Sequence, residues 1–238
     1  KYHSYCNKSN FHQLAKVKTK LIRVGLSEIQ SSDCARNIGA WFDSTFKLEH
    51  HVNTTCRAAW NQLRTIGKVR RYLTEKHTTS LVHAFVTTKL DHNNSMLYGC
   101  SKALKVKLQK VQNAASKLVT KKRKFDHVTP ILRELHWLPV EQRIIFKIAL
   151  LVYKCLQGIG PSYLTELLEK YEPGRDVRSA QGNTLRVPRL KLTYGVRSFS
   201  HAGPIVWNSL PLSIRKCETV SSFKKHLKTH LFTLAFEE

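Results

Sequence analysis

The sequence predicts a mainly α protein: a helical bundle with a short N-terminal β-hairpin and a small β-hairpin near residue 190. Three observations carry this reading. Apolar residues recur at steps of three and four along several long stretches, the mark of one buried helix face. Clusters of glycine, proline and small polar residues separate those stretches. Hydrophobic residues make up 42% of the 238 positions, which suffices for one or two domains with a core and argues against disorder throughout.

Residues 1–20 are polar and basic, without a clear period. Leu21 to Gly25 and Ala35 to Phe42 read as two short strands, with Gly25 and Ser31-Ser32-Asp33 supplying the turn chemistry between them. From Asp43 the period changes. Val52, Cys56, Ala59, Leu63 and Ile66 step by four, three, four and three, so they share one helix face; Ser44 or Thr45 could cap its start. Lys68, Arg70 and Arg71 load its end, where cations suit the helix dipole. Thr74 and Glu75 open a second helix with an apolar face of Leu81, Phe85 and Thr88 flanked by Val82 and Val86, ending at Tyr98 and Gly99. A third runs from about Ala103 to Thr120, with Leu104, Leu108, Val111, Ala115 and Leu118 as its stripe.

Phe125 to Pro139 reads as a rigid corner. Pro130 and Pro139 bracket one helical turn, Ile131 to Leu135, with Thr129 as its cap and Pro130 at its first position. Trp137 then is a buried core residue or, beside so many cations, a nucleic-acid contact. Val140 to Leu156 is the most apolar helix, with Ile144, Ile145, Ile148, Leu151, Val152 and Cys155 covering over half its circumference, as befits the centre of a bundle. Gly158, Gly160 and Pro161 end it, and a short helix follows through Lys170. Residues 173–183 read as a linker, Thr184 to Val187 and Lys191 to Tyr194 as a hairpin around Pro188. Phe199, Ile205, Val206, Trp207 and Leu210 form an apolar cluster, with Trp207 in the core. The last helix, Val220 to Phe232, turns Val220, Phe223, Leu227 and Leu231 inward and Lys224, Lys225, Lys228 and His230 outward.

Charge narrows the class of partner. Forty Lys and Arg face 16 Asp and Glu, a formal net charge of +24, and a polyanion answers it: nucleic acid first, an anionic membrane surface second. Residues 101–133 hold ten Lys and Arg against one acid, Asp126, for a net +9. A charge run is often a solvated face, but with so little compensating acid this one points to phosphates.

Other chemistries find little support. There is no phosphate-binding G-x-x-x-x-G-K-[ST] motif, and Gly195 and Ser198 make no nucleophile elbow. His226 and His230 have the i, i+4 spacing that can hold zinc, without a third ligand nearby in sequence. Six widely spaced cysteines without a C-x-x-C read as reduced thiols of an intracellular protein. No N-terminal apolar region marks a signal peptide, and Lys147 and Lys154 interrupt the most apolar segment, so no membrane span is expected. The chain begins with Lys1 rather than Met and reads as part of something longer.

The string FDHVTPILRELHWLPVEQRIIFKI at 125–148 resembles the C-terminal part of the reverse transcriptase of non-LTR, LINE-type (jockey-like) retrotransposons. ARNIGAWFDS at 35–44, LVHAFVTTKLDHNNSMLYG at 81–99 and GPIVWNSLP at 203–211 agree with it in order, so the resemblance covers nearly everything from about Leu21 onward. It implies that 1–44 is the end of the palm with the primer-grip hairpin, 45–172 a helical thumb-like domain, and 173–238 a linker plus a small C-terminal α+β region. It also implies an RNA-directed DNA polymerase as parent, found in nucleus and cytoplasm, with RNA and DNA as partners and neither a small-molecule substrate nor a membrane. The thumb would hold template–primer duplex by its phosphates. The candidate contacts are Arg70, Arg71, Lys105, Lys110, Lys117, Lys121, Lys122, Arg123 and Lys124.

Such a polymerase needs carboxylates to hold two Mg²⁺ ions about 3.5–4 Å apart. This sequence has no Asp-Asp pair, and its five aspartates, Asp33, Asp43, Asp91, Asp126 and Asp176, stand far apart. No catalytic residue and no cofactor of its own are therefore expected, and the chain alone is expected not to polymerise. Two alternatives remain: a basic helical protein-interaction module, and a decayed element copy without selected function.

Overall fold

The computed structural model describes residues 22–24, 27–29, 32–171, 183–190 and 193–236. The basic tract 1–20, most of the linker that starts at 173, and positions 191 and 192 lie outside the described residues. The chain divides into two compact units, Lys1–Phe46 and Lys47–Glu238.

The first unit holds two local hairpins. β1 (Ile22–Val24) runs antiparallel to β2 (Ser27–Ile29), with Ile22 opposite Ile29. β3 (Cys34–Asn37) runs antiparallel to β4 (Ala40–Asp43), with Cys34 opposite Asp43 and Asn37 opposite Ala40. This corrects the expected pairing of 21–25 with 35–42. Ile38 and Gly39 sit at φ 45° and 79°, the two-residue turn whose twist suits a hairpin. That turn cuts the expected second strand into β3 and β4, and a two-residue loop closes at little entropic cost. Below it, the Asp43 carboxylate accepts hydrogen bonds from the Thr45 backbone N–H and hydroxyl, at 3.1 and 2.8 Å.

The second unit is helical. α1 (Glu49–Val69) buries the predicted Val52, Cys56, Ala59, Leu63 and Ile66. Neither Ser44 nor Thr45 caps it: the N-cap is Leu48 in the left-handed conformation, φ 63°, with its side chain buried. α2 (Glu75–Val82) starts as expected at Thr74, whose hydroxyl accepts the His77 N–H at 3.3 Å. It passes through a π-helical turn, His83–Thr87, into α3 (Thr88–Asp91). The helix stops there, short of the expected Gly99, because Asn93 turns left-handed at φ 55° and a 3₁₀ turn, Asn94–Leu97, takes over. α4 (Lys102–Thr120) lies against α1 and buries Leu104, Leu108, Val111 and Ala115; at its end Val119 rather than Leu118 is fully inside.

α5 (Val128–Glu134) begins one residue before the expected cap Thr129, with His127 extended ahead of it. Pro130 is thus its third residue, still within the first turn where a missing N–H costs nothing. The helix closes with two backbone bonds, His136 N–H to the Arg133 carbonyl at 3.1 Å and Trp137 N–H to the Leu132 carbonyl at 2.9 Å. His136 takes the left-handed position at φ 53° that glycine usually fills. The closure turns Trp137 inward, 6% exposed, so it is a core residue.

α6 (Val140–Leu156) is the central helix and packs against α4, α7 (Ser162–Thr165), α8 (Phe199–Asn208) and α10 (Val220–Phe236). Its Tyr153 is fully buried, stacked 4.1 Å from the Phe223 ring, and donates its hydroxyl to the Cys217 carbonyl at 2.9 Å. α8 contains Pro204 and buries Trp207; α9 (Leu212–Arg215) leads into α10, which turns in Phe223, Leu227 and Leu231.

The second strand of the expected hairpin near residue 190 begins at Lys191 and Leu192, which lie outside the described residues. Leu185 makes one antiparallel bridge with Lys170, and the Asn208 amide bonds the Leu185 N–H and carbonyl at 2.9 and 2.8 Å. Thr193 and Tyr194, the last two residues of that expected strand, lie in a 3₁₀ turn, Thr193–Arg197. Nor are the described residues after 182 a separate region: Leu185, Val206, Trp207, Phe223 and Leu227 share one core with α1 to α6. Among the described residues no helix is long and apolar enough to cross a membrane.

Candidate nucleic-acid interface

The last carbonyls of an α-helix have no partner within it. At the end of α4 those of Leu118 and Val119 are met by one side chain, Arg70. It follows α1 in a 3₁₀ turn, Arg70–Tyr72, and is 8% exposed. Its Nε donates to the Leu118 carbonyl at 2.8 Å, its Nη2 to the Val119 carbonyl at 2.7 Å, and its Nη1 to the Leu73 carbonyl at 2.7 Å. Only the rigid guanidinium fork can span three acceptors in this way. This corrects the sequence reading: Arg70 is a clamp inside the fold, 8% exposed, with each of its three guanidinium nitrogens bonded to a backbone carbonyl.

The clamp pins the end of α1 to the end of α4 and so gathers two short segments. One is Arg71–Tyr72. The other is the turn that leaves α4 through Lys121, left-handed at φ 55°. Lys122 N–H reaches back to the Lys117 carbonyl at 3.1 Å, and Lys117 Nζ reaches forward to the Lys124 carbonyl at 2.6 Å. The Asp126 carboxylate accepts the Arg123 N–H at 2.6 Å. The one acid of the segment is therefore spent on backbone, and the turn has a fixed path. Lys121, Lys122, Arg123 and Lys124 are all exposed along it. None of them, nor Arg71, has a carboxylate partner among the described residues.

Two exposed aromatics complete this tip. Tyr72 is 73% exposed, with the Arg71 guanidinium 4.6 Å from its ring centroid. Phe125 is 90% exposed, with Lys124 Nζ 5.7 Å from its centroid. Cations over ring faces hold those rings in place. The sequence reading passed over both as binding residues. The available signal was the cation–aromatic neighbours RRY and RKF, which recur at the two ends that the fold joins.

The remaining candidates do not gather there. Lys105 lies at the opposite end of α4, 16 residues from Lys121 and therefore roughly 24 Å away along the helix. It is paired with Glu141 at 2.8 Å. Lys110 is exposed between the two ends, and Lys117 supports the turn through Lys124.

The arrangement can neutralise phosphates and stack on bases. It does not fit an Mg²⁺ pair. Asp91 is bound to Arg143, Asp126 to backbone, and the described residues contain no group of three or more His, Cys, Asp or Glu that could hold a metal. Comparison of the chain with known protein families, with curated proteins and with solved structures finds no match.

Proposed function

We propose that this chain is the nucleic-acid-holding, thumb-like part of a non-LTR retrotransposon reverse transcriptase, which grips template–primer duplex by its phosphates and leaves polymerisation to a catalytic palm. One observation carries the reading: the Arg70 clamp sets Arg71 and Tyr72 beside the uncompensated turn Lys121 to Phe125, making one basic, aromatic-bearing tip. Such a surface supplies affinity without sequence preference, as a polymerase that copies any template requires. The resemblance of the strings at 35–44, 81–99, 125–148 and 203–211 supports the identity of the parent. Mg²⁺ would supply its charge-stabilising chemistry in the palm of that parent.

The test is binding of the purified chain to a fluorescent RNA–DNA hybrid over a salt series. Tight binding that weakens steeply with salt, equally for unrelated sequences, is expected. Weak binding insensitive to salt would overturn the proposal.

A further inference from the structure

A concave surface that shares no residue with the tip also lies in the helical unit. It is a cleft of about 480 Å³ lined from the π-helical turn His83–Thr87, α3, the 3₁₀ turn Asn94–Leu97, the Trp137 corner, α6 and α10. Small-molecule sites span roughly 300–1,000 Å³, so its size is that of a ligand.

Its lining has three parts. The floor is apolar: Trp137 and Leu138 are buried, and Phe146 and Leu150 half-buried. The rim is cationic: Lys147, Lys224 and Lys228 are exposed and have no carboxylate partner among the described residues. The one acid of the lining, Asp91, is already held by the Arg143 guanidinium, whose Nε donates to it at 2.8 Å. The third part is Asn94, 4% exposed. Its amide N–H₂ points to the Asp91 carboxylate at 3.4 Å, which orients the group, since a flipped amide would set oxygen against oxygen. Its Oδ1 has no hydrogen-bond partner. A buried acceptor without a donor is costly and asks for one.

The field agrees with this division. Burial, then Arg143 and Lys228, hold the His83 pKa below the usual imidazole value against the opposing pull of Asp91. The cleft is thus positive as well as apolar.

A flat ring that carries an N–H and an attached phosphate answers all three parts. We propose that this cleft binds a single unpaired nucleotide, its base on the Trp137 floor with a ring or amino N–H donated to Asn94 Oδ1, its phosphate among Lys147, Lys224 and Lys228. A phosphorylated tyrosine would suit floor and rim, but its ring has no N–H for Asn94. The cleft shares no residue with the basic tip, so the proposal stands whether or not the tip holds duplex.

The test is calorimetric titration of the purified chain with AMP, adenosine and ribose 5-phosphate. AMP is expected to bind saturably at one site, with adenosine and ribose 5-phosphate each weaker by about tenfold or more, because each lacks one of the matched groups. The exposed double variant K224A/K228A is expected to lose AMP binding by a similar factor while it keeps the far-ultraviolet spectrum of the parent. A variant with Lys121 to Lys124 replaced by alanine should bind AMP unchanged. Ribose 5-phosphate binding as tightly as AMP would reduce the cleft to a phosphate patch and overturn the proposal. So would the absence of saturable AMP binding, an unaffected K224A/K228A, or loss of AMP binding in the Lys121 to Lys124 variant.

Discussion

The Arg70 guanidinium donates to the Val119 carbonyl at 2.7 Å, across 49 positions of sequence. This bond and its neighbour to Leu118 set the end of α1 against the end of α4, and the exposed segments that continue from both ends inherit the placement. Arg71 differs from Arg70 in every physical respect that matters: exposed, laid over the Tyr72 ring, and without a carboxylate partner among the described residues.

Substitution should separate the two. Arg70→Ala leaves three carbonyls without their charged donor and is expected to cost about 3 kcal/mol of stability. Arg70→Lys should recover only part, since one ammonium cannot span the fork. Arg71→Ala should stay within about 0.5 kcal/mol of the parent, as exposed positions usually do. Urea unfolding checks all three; equal effects at 70 and 71 would contradict the clamp.

The aromatics of the tip give the opposite pattern. Tyr72→Ala and Phe125→Ala remove exposed rings, so unfolding should change little. Binding of single-stranded oligonucleotide should weaken by roughly 1–3 kcal/mol for each base that stacks on a lost ring. Fluorescence anisotropy with an unstructured RNA measures this, and unchanged affinity in the double variant would remove the rings from the interface.

Much of the bundle was legible because its helices are amphipathic. The stripes of α1, α4 and α10 are the buried faces, and Trp137 and Trp207 lie in the core. What stayed hidden depended on tertiary context. Nothing local tells Arg70 from Arg71; burial is decided by where the end of α4 falls. The left-handed residues Lys121 and His136 are neither glycine nor asparagine, so the composition rules for turns miss them. α8 is apolar around most of its surface and carries Pro204, which masks its period. The candidate site was legible as a stretch of charge at 121–124, while its aromatic half emerged only once exposure was known.

Acid should weaken the fold through two histidines. His51 is buried, and burial first, then His92 and His50, lower its pKa; His83 is lowered by burial, Arg143 and Lys228. Unfolded histidine titrates near 6.5, so as pH falls the unfolded chain takes up protons before the folded one does. Their contribution is therefore present above that value and lost below it. Stability by urea unfolding should hold above about pH 7.5 and decline toward pH 5, and His51→Gln should flatten the decline. A fold that strengthens on acidification over this range would contradict the assignment.

The central claim, that the turn after α4 meets phosphates, is tested most directly by the salt dependence of duplex binding. The parent chain is compared with a variant in which Lys121, Lys122, Arg123 and Lys124 are all alanine. Each lost phosphate contact lowers the slope of log K against log salt by about 0.9 on B-form duplex, so up to four contacts should lower it by roughly 3–4, with equal loss of affinity on unrelated sequences. A variant whose slope matches the parent's would show that these cations face only water.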